Sequence, residues 1–149
     1  MGPDRKIYAI GGFDGKKCLS SAERYDPQTN KWEEIASLST PRRSLSAVAL
    51  PDGVYALGGY NDGNYLSSVE RYDAKKNEWV PVARMNKAKC TMAAVCTTDC
   101  RYIFSTGGYD GTALSLVERY DVVHGSWEFV CPMKHKRFMH AAVISTVSS

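Results

Sequence analysis

An all-β fold built from three copies of one four-stranded unit is predicted by three features of this 149-residue chain. First, one motif is written three times: a Gly-Gly pair (Gly11-Gly12, Gly58-Gly59, Gly107-Gly108), then Glu-Arg-Tyr-Asp at 23–26, 70–73 and 118–121, then Trp32, Trp79 and Trp127. The Gly-Gly spacing is 47 then 49 residues, and the other two are both 47 then 48. Second, the apolar runs before each Gly pair are too short for helices and suit strands buried on both faces. Third, the stretch around Glu-Arg-Tyr-Asp alternates apolar and polar with period two, as on a half-buried strand. A fixed grammar at this period points to a propeller or solenoid.

Four strands follow per copy. Residues 7–10, 54–57 and 103–106 form the apolar strand closed by Gly-Gly, with Thr106 an odd polar member. Asp14-Gly15, Asp62-Gly63 and Asp110-Gly111 supply turns, because glycine accepts positive φ. The Glu-Arg-Tyr-Asp strand comes next, and a polar turn (27–31, 74–78, 122–126) leads to a strand that begins at each Trp. Pro81 makes that third strand an edge, since proline donates nothing to a ladder. Six residues after each Trp stands Leu38, Met85 or Met133, and four further on Arg42, Lys89 or Arg137. Small and β-branched residues then form a strand suited to a crowded axis: 46–49, 93–96 and 141–144.

Composition sets the remaining bounds. A net charge of +3, 44% hydrophobic and 23% charged residues describe an ordinary globular chain. No apolar stretch approaches the ~18 residues of a membrane span. The leading Met-Gly-Pro-Asp-Arg-Lys lacks a signal peptide's apolar segment, and no Asn-x-Ser/Thr sequon occurs. Cys18, Cys90, Cys96, Cys100 and Cys131 are odd in number and irregular in spacing, so reduced thiols and a cytoplasmic setting are expected.

Together these residues resemble the kelch repeat, and most of all the propeller of kelch-like substrate adaptors of cullin-based ubiquitin ligases. The resemblance runs from about Lys6 to Ile144, with Leu38 for Met, Lys89 for Arg and Thr106 as mild departures. It implies a kelch-type β-propeller of four-stranded antiparallel blades over residues 6–145, in repeats at 6–52, 53–100 and 101–145, with residues 1–5 as a linker. It further implies structural roles for Gly11, Gly12, Gly58, Gly59, Gly107 and Gly108, and for Tyr25, Tyr72, Tyr120, Trp32, Trp79 and Trp127, which would pack between blades. The Glu of each Glu-Arg-Tyr-Asp is expected as a buried acceptor.

The strand frame is offset: the chain opens on the second strand of a blade and ends on a first strand, residues 138–145. In the resembling families such an offset closes the ring. Three blades are too few, since propellers use about four to eight. The expectation is a six-bladed ring from two chains, or half of a longer ring.

Function is expected in loops at one end of the ring. The loops after Gly-Gly carry Phe13, Tyr60, Asn61 and Tyr109, and those after the Met position carry Arg42, Arg43, Ser44, Lys87, Lys89 and Arg137. Two readings stand: a solvated basic rim with arginines satisfying strand carbonyls, or a pocket for an acidic peptide. In the second, Phe13, Arg42, Arg43, Ser44, Tyr60, Asn61, Lys89, Tyr109 and Arg137 bind the partner, with arginine forks on its carboxylates. Actin binding and a propeller enzyme are the alternatives. His124 falls in a turn beside Gly125, and His135 and His140 lack a carboxylate placed for a triad or a metal set, so no catalytic residue, metal or cofactor is expected. Nor is nucleic acid or membrane expected as a partner.

Overall fold

The computed structural model describes residues 4–145. Of the expected linker, Met1–Pro3 lie outside the described residues. Thirteen strands and no helix make up the described chain. They are β1 Ile7–Ile10, β2 Ala22–Asp26, β3 Lys31–Ile35, β4 Ser46–Leu50, β5 Gly53–Leu57, β6 Tyr60–Asn61, β7 Asn64–Tyr65, β8 Val69–Asp73, β9 Glu78–Val82, β10 Ala93–Cys96, β11 Tyr102–Thr106, β12 Val117–Asp121 and β13 Ser126–Val130.

These strands form three antiparallel blades. The second is β4-β5-β8-β9, the third β10-β11-β12-β13, and the first only β1-β2-β3. Register repeats from blade to blade: Tyr25 faces Trp32, Tyr72 faces Trp79 and Tyr120 faces Trp127. Pro81 lies on β9, an edge strand, as its missing N–H requires. An extra two-stranded hairpin, β6-β7, turns through Asp62-Gly63 and pairs Tyr60 with Tyr65.

The closing strand expected at 138–145 is not formed; residues 141–145 join no ladder, and Val143 is 85% exposed. The innermost strand of a blade pairs with that blade's second strand, and no such strand lies beside this segment. The inner edge of β1 is correspondingly unpaired, whereas β5 and β11 are lined there by β4 and β10.

The core lies between the second and third blades. It comprises Val48, Leu50, Tyr55, Leu57, Val69, Met85, Met92, Ile103 and Tyr120. Each glycine pair marks a close approach. A Cβ on Gly107, at φ +58°, would stand 2.4 Å from the Arg137 carbonyl oxygen, so no side chain fits there.

Successive blades are fastened by one joint made twice. At the first joint, the Ser39 N–H and hydroxyl donate to Glu70, and the Trp79 indole donates to the Ala36 carbonyl at 2.8 Å. At the second, the Asn86 N–H donates to Glu118 at 2.7 Å and the Trp127 indole to the Ala83 carbonyl at 2.8 Å. Tyrosine rings meet across both, Tyr8 with Tyr72 at 5.9 Å and Tyr55 with Tyr120 at 6.2 Å. Trp79, Trp127, Tyr72 and Tyr120 thus pack between blades. Trp32 is 50% exposed and Glu23 is exposed, with no blade packed on that side among the described residues.

Candidate functional site

The loops after Gly-Gly and those after the Met position meet on one face. Backbone pairing joins them. Arg43 and Tyr60 exchange both N–H···O bonds at 3.0 and 2.9 Å, and Cys90 and Tyr109 do the same at 3.0 and 2.9 Å. This lacing holds the side chains around an open cavity of about 770 Å³. Its wall is aromatic. Tyr60 packs on Tyr65 at 5.3 Å, Tyr65 on Tyr109 at 6.1 Å and Tyr109 on Phe138 at 5.1 Å. At the other end the Arg43 guanidinium sits 4.9 Å from the Phe13 ring centroid and 5.1 Å from that of Tyr60.

Of the nine residues expected to bind a partner, the cavity gathers Phe13, Arg43, Ser44, Tyr60 and Tyr109. Asn61 pairs with Asn64 in the hairpin and does not line it. Arg137 is exposed but also lies off the lining.

Arg42 and Lys89 require correction. Both are 0% exposed and cannot grip a ligand. The Arg42 guanidinium donates to the Gly58 carbonyl at 2.9 Å, the Ser68 carbonyl at 3.1 Å and the Ser68 hydroxyl at 3.0 Å, with Glu70 at 3.9 Å. The Lys89 ammonium lies 2.9 Å from the Glu118 carboxylate, itself fully buried. Burial pushes the pKa of both cations below the usual range, opposed by Glu70 for Arg42 and Glu118 for Lys89. They are struts of the blade joint, because a buried carboxylate there needs a cation beside it. Lys87 is likewise engaged, at 2.6 Å from Asp110. The basic rim thus reduces, within the cavity, to Arg43.

Arg43 is half-buried and has no carboxylate within 4.0 Å among the described residues. Two aromatic faces hold its planar head, an arrangement that suits guanidinium better than ammonium. Sequence reasoning missed Tyr65, Cys90, Thr91, Phe138 and Met139 on the lining. Tyr65 had a signal, since a two-residue Asp-Gly turn sets Tyr60 and Tyr65 opposite each other. Phe138 had another, standing where Arg43 and Cys90 stand in the earlier copies.

Elsewhere, Asp121 accepts from Arg101 at 2.9 Å and from the His124 backbone at 3.0 Å, with the His124 ring at 2.8 Å. The Arg101 hydrogen bond is the main cause of an Asp121 carboxyl held well below the usual range. His140 and Thr106 share a hydrogen bond of 2.9 Å. All five cysteines are free. Among the described residues no group of three His, Cys, Asp or Glu side chains could hold a metal ion. No helix is long and apolar enough to cross a membrane.

Comparison with known proteins agrees with this architecture. The family described as the KLHDC2/KLHL20/DRC7 Kelch-repeats domain matches residues 1–148. Kelch-like protein 35 of Mus musculus is 48% identical over 46 residues, which are 31% of this chain and 8% of the relative. The solved structure titled "Structure of YjhT" superposes with a TM-score of 0.74 at 13% identity, over 87% of this chain and 49% of that one, a likeness of fold alone. The chain therefore spans about half the length of that structure and a small part of the mouse relative. With three blades in one register, two repeated joints and a family match along its length, the chain belongs to the kelch-repeat β-propeller family, whose domains serve as protein-interaction modules.

Proposed function

We propose that the loop-face cavity captures an acidic peptide segment of a protein partner, with Arg43 as the carboxylate-binding cation. The carrying observation is the guanidinium held between Phe13 and Tyr60 with no carboxylate of its own among the described residues. Fixed in this way, it loses little side-chain freedom on binding, which lowers the cost of association. The aromatic wall running from Tyr60 to Phe138 offers apolar contact to flanking residues. A charge-assisted contact of this kind contributes ~1.5–3 kcal/mol. We further assign this recognition to the substrate-reading part of a cytoplasmic ubiquitin-ligase adaptor, supported by the resemblance to kelch-like adaptors.

The test is titration calorimetry against a small library of acidic peptides and their amidated counterparts. Arg43→Ala lowers affinity for the selected acidic peptide about 10- to 100-fold, and Arg43→Lys recovers only part of it, because lysine lacks the fork. Equal affinity for the acidic and amidated forms would end this reading.

A further inference from the structure

Resting on the peptide-capture reading above, we propose that Thr91 is a specificity-determining residue of the loop-face cavity. Its hydroxyl oxygen accepts a ligand N–H next to the carboxylate that Arg43 holds. The cavity thereby selects a segment with one acidic residue and turns away one with two side by side.

Thr91 stands on strained backbone. Its φ is +52°, in the left-handed region that L-residues avoid and that crowds a β-branched side chain most. Ser44 and Met139 hold the matching position 47 residues before it and 48 after it, and both share the conformation at φ +53°. Most other left-handed positions among the described residues carry glycine, or the tolerant Asn30, Asp62 and Asn77. Ser44, Thr91 and Met139 depart from that habit, and all three line the cavity. Backbone strain of this kind collects at binding sites.

The fold does not call for the threonine side chain. What fixes its left-handed turn is backbone: the Thr91 N–H donates to the Ser44 carbonyl at 2.8 Å, and the Met139 N–H donates to the Thr91 carbonyl at 2.9 Å. Glycine would keep both bonds and relieve the strain. The side chain therefore earns its place by what it presents to the cavity.

One internal bond sets what it presents. The Thr91 hydroxyl donates to the Cys90 carbonyl at 2.8 Å, and the Cys90 backbone is itself laced to Tyr109. With its hydrogen engaged, the oxygen shows only lone pairs, which accept from an N–H and repel a carboxylate. Ser44, whose carbonyl holds the Thr91 amide, directly follows Arg43, so the acceptor and the cation sit on adjoining backbone. Arg43 is the one cation on the lining among the described residues, because Lys89 is buried on Glu118 and Lys87 is held by Asp110. A second carboxylate would leave water for an acceptor oxygen and an aromatic wall, with no charge to pair it. A peptide N–H is the group that fits.

Calorimetry on wild type, Thr91→Gly and Thr91→Val tests this. The probes are the acidic peptide selected above and a version with a second acidic residue beside the first. Wild type is expected to bind the singly acidic peptide about 10-fold more tightly than the other. Thr91→Gly is expected to melt within about 3 °C of wild type or above it, since it sheds strain, yet to bind the singly acidic peptide about 10-fold more weakly and lose the preference. Thr91→Val keeps the branched shape without the oxygen and is expected to lose the preference too. Wild type that binds neither peptide removes the capture reading and this proposal with it. Wild type that binds both equally, a variant that keeps wild-type affinity or preference, or a glycine variant whose Tm falls further overturns the role of Thr91 alone.

Discussion

Lys89→Met is the substitution that separates a strut from a ligand-binding cation. The Lys89 ammonium and the Glu118 carboxylate lie 2.9 Å apart, both fully buried. Neither Nζ nor Oε2 finds a well-directed hydrogen bond, so the pair rests on Coulomb attraction. Removing the cation leaves Glu118 with the Asn86 N–H at 2.7 Å on its other oxygen and no compensating charge. Stranding one partner of a buried pair typically costs ~3–5 kcal/mol. In a chain of this size each kcal/mol moves Tm by about 2–4 °C, so the expected fall is about 6–20 °C. Adding Glu118→Gln should restore most of it, because the amide oxygen still accepts from Asn86 while the unpaired charge disappears. The assay is thermal unfolding followed by circular dichroism, on both variants and Glu118→Gln alone. A Tm for Lys89→Met within about 2 °C of wild type would refute the strut, as would a double variant no more stable than the single.

Other substitutions probe the remaining elements. Arg43→Ala removes two cation–π contacts of ~0.5–1 kcal/mol each, so it should lower Tm by no more than a few degrees while weakening acidic-peptide binding; Arg42→Ala should do the reverse, measured by paired unfolding and calorimetry. Gly107→Ala meets the Arg137 carbonyl at 2.4 Å as well as a positive φ, whereas Gly111→Ala at φ +110° meets nothing within 4 Å. The unfolding free energy from denaturant titration should therefore fall further for the first, by roughly 1–3 kcal/mol. Asp121 is held below its ordinary value of 3.8, mainly by Arg101. Its contribution is present above that value and lost as pH falls through the lower folded-state value. Asp121→Asn should destabilise near neutral pH and flatten the loss of Tm in acid, as read from melts across the acidic range.

The repeat unit was legible because its signals are local. Short apolar runs, Asp-Gly turns, Pro81 and the Gly-Gly pairs each act within a few residues, and each is where the sequence predicts it. The fates of Arg42 and Lys89 were not legible in the same way. Arg42 stands next to Arg43 and Lys89 in the matching basic loop of the second copy, and nothing nearby in sequence distinguishes the three. What buries them is Glu70 and Glu118, each brought back from the following Glu-Arg-Tyr-Asp strand. Arg43 escapes because its side chain turns onto Phe13 and Tyr60 instead. The strand expected at 138–145 failed for a related reason. Its residues have the right character, but a strand exists only beside another strand's free edge.

A chain assembled from one fastening used twice depends on its joints as well as on the core between its second and third blades. Its blades interact chiefly with their neighbours, so local stability is set by how many neighbours a blade has. The middle blade is flanked on both sides, and all five residues of β5 are buried. Amide exchange should consequently be slowest in β5 and β8 and quicken toward both outer blades. The loop-face site spans all three blades, from Phe13 in the first to Phe138 after the third. A ligand seated there ties the two outer blades to the middle one, and its affinity is linked to the free energy of holding them in place.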